Sequence, residues 1–163
     1  MAETLSVSDM LPNKFEPKRT NRWVLQIEGI DAFLIKTAKR PTMTLEEITI
    51  PFINAKRYLA GGFKFDTMDI TLHDPIAPSG AQQVMEWIRT HYESVSGRAG
   101  YADFYKRDIQ LKLLDPIGTV IELWDIKGAF ITSTNYGDLS YEDDNKINEI
   151  SLTLRYDNCI LQY

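Results

Sequence analysis

Between Phe65 and Asp74 the chain alternates apolar and polar residues without a break. Met68, Ile70 and Leu72 fall on one side, and Thr67, Asp69, Thr71 and His73 on the other. A period of two describes a strand with one face on a core and one in water. The pattern recurs near the C-terminus, with Ile150, Leu152, Leu154 and Tyr156 inward and Glu149, Ser151, Thr153, Arg155 and Asp157 outward. Two strands with such consistent outer faces direct the fold towards packed sheets. The 163 residues suffice for one core without staples.

The rest of the chain divides into an N-terminal arm over residues 1–20 and one β domain over 21–163. In the arm, Pro12 and Pro17 stand among Lys14, Glu16, Lys18 and Arg19 with no apolar period, so it either docks on a neighbour or frays. From Asn21, Trp23, Leu25 and Ile27 alternate with Val24, Gln26 and Glu28. Gly29-Ile30-Asp31 then turns the chain into a return strand through Phe33 and Ile35, which predicts a hairpin. Ile48, Ile50 and Phe52 mark a further strand that Pro51 confines to an edge. Residues 52–64 fit neither period, yet they carry Phe52, Ile53, Tyr58, Leu59 and Phe63 beside Lys56, Arg57 and Gly61-Gly62. The expectation is a protruding loop that buries these groups in another subunit; the competing reading is a long hairpin whose apolar groups fold back on their own core.

Ser79 with Gln82 makes a capping box, and Val84, Trp87, Ile88, Tyr92 and Val95 recur at helical spacing up to Gly97. This predicts one amphipathic helix over 79–96, packed on the sheet through Trp87. Ile109, Leu111 and Leu113 lead through Asp115-Pro116-Ile117-Gly118 into a strand from Val120 to Phe130, another hairpin. An acidic loop from Asn135 to Lys146, with Asp138, Glu142, Asp143 and Asp144, precedes the final strand. About seven strands and one helix make a mainly β (α+β) fold: two packed antiparallel sheets forming a sandwich or partial barrel.

Chemistry is scarce. His73 and His91 sit on different elements, Cys159 is the only cysteine, and Asp143–Glu149 lacks the glycine a calcium loop needs. No catalytic residue, cofactor or metal ligand is expected, and an acidic chain without an aromatic-and-basic motif is a poor reader of nucleic acid. No run approaches the roughly 20 apolar residues of a spanning helix, and the N-terminus lacks a leader pattern, so the chain is expected to be cytoplasmic when made. The net charge of −5 is unevenly spread. Residues 1–64 hold ten Lys/Arg against seven Asp/Glu, and residues 65–163 eight against sixteen. Placed on opposite faces, these charges draw copies together head to tail, the geometry of rings and filaments; interspersed, they only confer solubility.

Four blocks carry a family resemblance: Asn21-Arg-Trp-Val-Leu-Gln-Ile; Ile50-Pro-Phe-Ile-Asn-Ala-Lys-Arg-Tyr-Leu-Ala-Gly; Phe65-Asp-Thr-Met-Asp-Ile-Thr-Leu leading to the Trp87 helix; and Asn148-Glu-Ile-Ser-Leu-Thr-Leu-Arg-Tyr. In this order, from about Asn21 to Asp157, the chain resembles the tail-tube proteins of contractile-tailed bacteriophages and, beyond them, inner-tube proteins of contractile injection systems. The resemblance implies homohexameric rings stacked into a tube, within a virion tail assembled in the host cytoplasm. It implies as partners further copies of the chain, a tail sheath protein, a baseplate or tube initiator and a tail terminator, with DNA passing the lumen unbound. Phe52, Ile53, Lys56, Arg57, Tyr58, Leu59 and Phe63 then form the ring-stacking element. Either Thr67, Asp69 and Thr71, the preferred set, or Glu149, Ser151, Thr153 and Asp157 line the lumen. Asp138, Glu142, Asp143 and Asp144 become subunit or sheath contacts. A ligand-binding sandwich and a single-ring initiator are the alternatives.

Overall fold

Side chains along the core strands alternate between buried and open as the sequence period requires. The computed structural model describes residues 10 and 14–163. In chain order the elements are β1 (Trp23–Ile27), a 3-10 turn (Ala32–Leu34), β2 (Ile35–Ala38), β3 (Met43–Phe52), β4 (Ala55–Phe65), β5 (Met68–His73), α1 (Gly80–His91), the one-turn α2 (Ala102–Tyr105), β6 (Arg107–Leu114), β7 (Val120–Asn135), β8 (Glu149–Arg155) and β9 (Asn158–Leu161). All strand pairs are antiparallel.

β1, β6, the first half of β7 and β9 form one layer, and β2, β5, β8 and the second half of β7 the other. The 16-residue β7 therefore turns the corner between layers. It does so at Gly128, whose φ of +67° suits glycine and whose missing Cβ leaves room for the Asp157 carboxylate. Asp108 fixes the bend, accepting from the Gly128 amide (3.2 Å) and from Lys127 Nζ (2.9 Å). Between the layers lies one cluster of buried side chains, including Leu25, Leu111, Ile126, Met68, Ile70, Leu72, Ile150, Leu152 and Leu154. The result is a sandwich that does not close into a barrel, as the sequence pattern indicates.

α1 covers one end of the core with Val84 and Trp87. Ser79 Oγ accepts from the Gln82 amide, so half of the expected capping box forms. The helix stops at His91, short of residue 96. Tyr92 is extended at φ −146° and bridges Ala99, while Glu93, Ser96 and Arg98 bond among themselves. Two serines in this stretch favour such local bonds over helix, and they leave Tyr92 and Val95 in solvent.

Three further expectations change. β1 and β2 are not a hairpin: β1 pairs β6, and β2 pairs β5. The connection buries Ile30 and Leu34, so it spends its residues crossing from one layer to the other. Residues 52–64 are not an irregular loop; β3 and β4 form a long hairpin that, among the described residues, pairs with no other strand. Nine strands and a second short helix replace the seven and one, among the described residues. Much of the arm expected over residues 1–20 lies outside the described residues, and in the rest Lys18 pairs with Glu122 of the same chain.

Candidate assembly surfaces

The β3–β4 hairpin leaves the sandwich as an arm with both faces open. Its base is fixed: Asp66 donates its amide to Thr42 O (2.9 Å) and accepts from Thr44 Oγ1 (2.8 Å). The Phe65 ring lies 5.6 Å from that of buried Tyr156, whose hydroxyl donates to Thr42 O (3.3 Å). Beyond that seat, every side chain from Met43 to Ala60 is solvent-exposed. Ile48 pairs with Leu59, Ile50 with Arg57 and Phe52 with Ala55. Period two therefore sorts Ile48, Ile50, Phe52 and Leu59 onto one face, and Tyr58 and Lys56 onto the other. Phe52, Tyr58 and Phe63 are 71, 62 and 65% exposed. Ile53, at the tip, has φ +53°, a strained setting for a β-branched residue.

The second surface is the outer face of the β2–β5–β8–β7 layer. Asp69 stands opposite Thr153 and accepts its hydroxyl at 3.0 Å; Thr71 opposes Ser151, and His73 opposes Glu149. Thr37 continues the face on β2, and Ser133 and Asn135 on β7. The two sets proposed as alternative lumen linings are thus largely one surface. Thr67 precedes β5, and Asp157 follows β8 and pairs with Lys106 (2.6 Å). Lys36 binds Glu149, and that bond holds the carboxyl below its ordinary range.

The third is the loop between β7 and β8, where Asp138, Glu142, Asp143 and Asp144 are all exposed. Sequence reasoning missed a fourth feature. Glu122, on the inner face of β7, is the one buried charged side chain among the described residues. It accepts from Lys18 Nζ and Trp124 Nε1, with Arg40 at 3.8 Å. Burial opposes its ionisation, but the Lys18 and Trp124 bonds, with Arg40, outweigh that and hold its pKa down. A glutamate in phase with Val120, Trp124 and Ile126, at a position where the strand period calls for an apolar side chain, was the available signal.

Of the residues considered for chemistry, His73 belongs to the polar face, and His91 packs at a tilt of 42° against Tyr105 with ring centroids 4.5 Å apart. Burial pushes the Cys159 thiol up to about 11, away from reactivity. Among the described residues no group of three or more His, Cys, Asp or Glu is placed to hold a metal.

This open sandwich, with its free apolar arm and broad polar sheet face, has relatives in both sequence and fold. The chain is 29% identical over 125 residues to the tail tube protein of Serratia phage KSP90, covering 76% of this chain and 70% of that one. It is 25% identical over 132 residues to the tail tube protein gp19 of Enterobacteria phage T4, covering 77% and 78%. A chain in the structure of the anti-feeding prophage tube-terminating cap shares the fold at a TM-score of 0.75 and 18% identity, covering 97% of this chain and 99% of that one. No protein-family model matches. In sequence and fold the chain resembles tail-tube proteins.

Proposed function

We propose that this chain is the structural subunit of a contractile phage tail tube, forming stacked hexameric rings around a channel through which DNA passes. The β3–β4 arm carries this reading. Beyond its base, its two strands pair only with each other among the described residues, and they present Phe52, Ile53, Tyr58, Leu59 and Phe63 to solvent. Burying each such side chain in a neighbouring ring is worth roughly 1.5 to 3 kcal/mol, and sixfold repetition turns a small gain per arm into firm stacking. The edges of β1, β2 and β9, unpaired among the described residues, support it too, since joining them between neighbours in a ring removes them as sites of random aggregation. In this reading the polar face lines the lumen, the acidic loop meets another subunit or the sheath, and baseplate and terminator cap the ends. No cofactor is required.

Sedimentation and negative-stain microscopy test the proposal, with and without baseplate seeds. Tubes are expected; monomers alone at high concentration, even when seeded, overturn it. The likeness to a chain from a terminating-cap structure supports a second reading, a single-ring end component. Discrete rings that never elongate select it. An inner tube of an injection system would give the same tubes but outside a DNA-filled virion.

A further inference from the structure

The subunit has two poles. The acidic loop ends at Asn148, where β8 begins, and Arg155 to Asp157 lie at the other end of that strand. Seven residues at about 3.3 Å each separate them by roughly 20 Å. At the far pole, in the crook between the arm's base and the sandwich, is an open groove of about 550 Å³. Its lining is mostly polar, with the rings of Phe63, Phe65, Tyr105 and Phe130 set among the charged groups. Tyr105 and Phe130 meet edge to face at 5.9 Å. Three cations rim it. Lys106 is taken by Asp157, the groove's one acid, whereas Lys64 and Arg155 are exposed with no ion pair among the described residues.

The opposite pole carries the complement. Asp138, Glu142, Asp143 and Asp144 outnumber Lys146, and none is ion-paired among the described residues. Beside them Leu139 and Tyr141 are 85% and fully exposed, large apolar groups with no place in their own domain. Free cations with aromatic rings between them at one end match free carboxylates beside apolar side chains at the other. A contact between unlike patches of identical chains propagates head to tail.

We propose that the Asp138–Asp144 loop of one copy seats in the Phe63–Phe130 groove of the next copy along the tube, with Tyr141 or Leu139 entering between the rings and Asp143 and Asp144 meeting Lys64 and Arg155. The inference rests on the tube reading and assigns its axial contact a second component beside the arm.

Charge exchange tests it. One variant carries Lys64→Glu and Arg155→Glu, the other Asp143→Lys and Asp144→Lys; all four positions are exposed, and circular dichroism checks the fold. Each variant alone is expected to elongate at least about tenfold more slowly than wild type, since like charges face each other across the contact. An equimolar mixture is expected to recover tubes containing both variants in nearly equal amounts, because each loop then meets a groove of opposite sign. Wild-type elongation by either variant alone, or a mixture no better than its parts, overturns the pairing while leaving the tube reading intact. Failure of the seeded wild-type chain to assemble removes both.

Discussion

Glu122 shows how one residue ties the N-terminal segment to the sheet. A carboxylate on an inner strand face is costly unless paired, and here Lys18, Trp124 and, more distantly, Arg40 pair it. Its pKa is depressed in the folded chain, so its stabilising contribution is present above the ordinary carboxylate range and disappears as pH falls through the folded value. Glu122→Gln is therefore expected to lower thermal stability at pH 7 and to converge with wild type below about pH 4. The loss should be about 1 to 2 kcal/mol, modest because Lys18 is half exposed. Thermal melts of both proteins from pH 3 to 8 measure it; a gap that persists unchanged in acid would show that packing, and not charge, is responsible. Trp87 was easier to foresee. Its place at the centre of a helical stripe announced burial, and the structure adds an indole bond to Tyr105 O (2.7 Å) and the Arg107 guanidinium 4.7 Å from its ring. Trp87→Ala should cost about 3 to 5 kcal/mol, read from denaturant unfolding; a loss under 1 kcal/mol would mean α1 contributes little to the core.

At the scale of elements, legibility followed periodicity. β5, β6, β8 and the first turns of α1 stand where unbroken patterns placed them, because each has one face on the core. The arm combines the two readings, a hairpin that protrudes, and its regular strands escaped the preferred loop reading for three physical reasons. Both of its faces are open, so burial imposes no single pattern. A register shift between Leu45 and Glu47 breaks the period. The turn carries Ile53 at positive φ where hairpins ordinarily use glycine or asparagine. β9 was missed because a four-residue strand after Asp157 has no turn signal. The strained tip separates folding from assembly. Ile53→Gly relieves about 1 to 3 kcal/mol of backbone strain, offset in part by glycine's entropy, and removes an 88% exposed apolar group. The expected outcome is a monomer at least as stable as wild type with slower tube growth. Tyr58→Ser with Leu59→Ser strips both arm faces and should leave the melting temperature unchanged while abolishing elongation. Normal tubes from this pair would place the stacking contact elsewhere.

For the whole molecule, the sequence announced a charge imbalance but not its geometry. Lys18, Arg40 and Lys36, from the basic first part, pair inside the subunit with Glu122 and Glu149 from the acidic remainder. What stays free is distributed by position on the fold, with Lys64 and Arg155 near the arm and the acidic loop at the far end of β8. A head-to-tail contact of this kind should weaken as salt shortens the reach of exposed charges, from a Debye length of about 10 Å at 0.1 M to about 3 Å at 1 M. Apolar arm burial resists the same change. The polar sheet face offers a test independent of stacking. Asp69, Thr71, Ser151 and Thr153 present short hydroxyls and a carboxylate, with Lys36 already neutralised by Glu149. As a channel wall, such a surface holds a phosphate backbone weakly, since that affinity comes mainly from lysine and arginine and Arg155, at the end of β8, is the one arginine on this strand's outer face. Thr71→Lys and Ser151→Lys place two cations per subunit on adjacent strands of that wall, on side chains that leave the core untouched. Virions complemented with this variant should assemble normal tails yet eject DNA several-fold more slowly at low salt, with recovery as salt rises and screens the added charge. Ejection at the wild-type rate at every salt concentration, from tails of normal length, would put this face on the outside of the tube and the lumen elsewhere on the subunit.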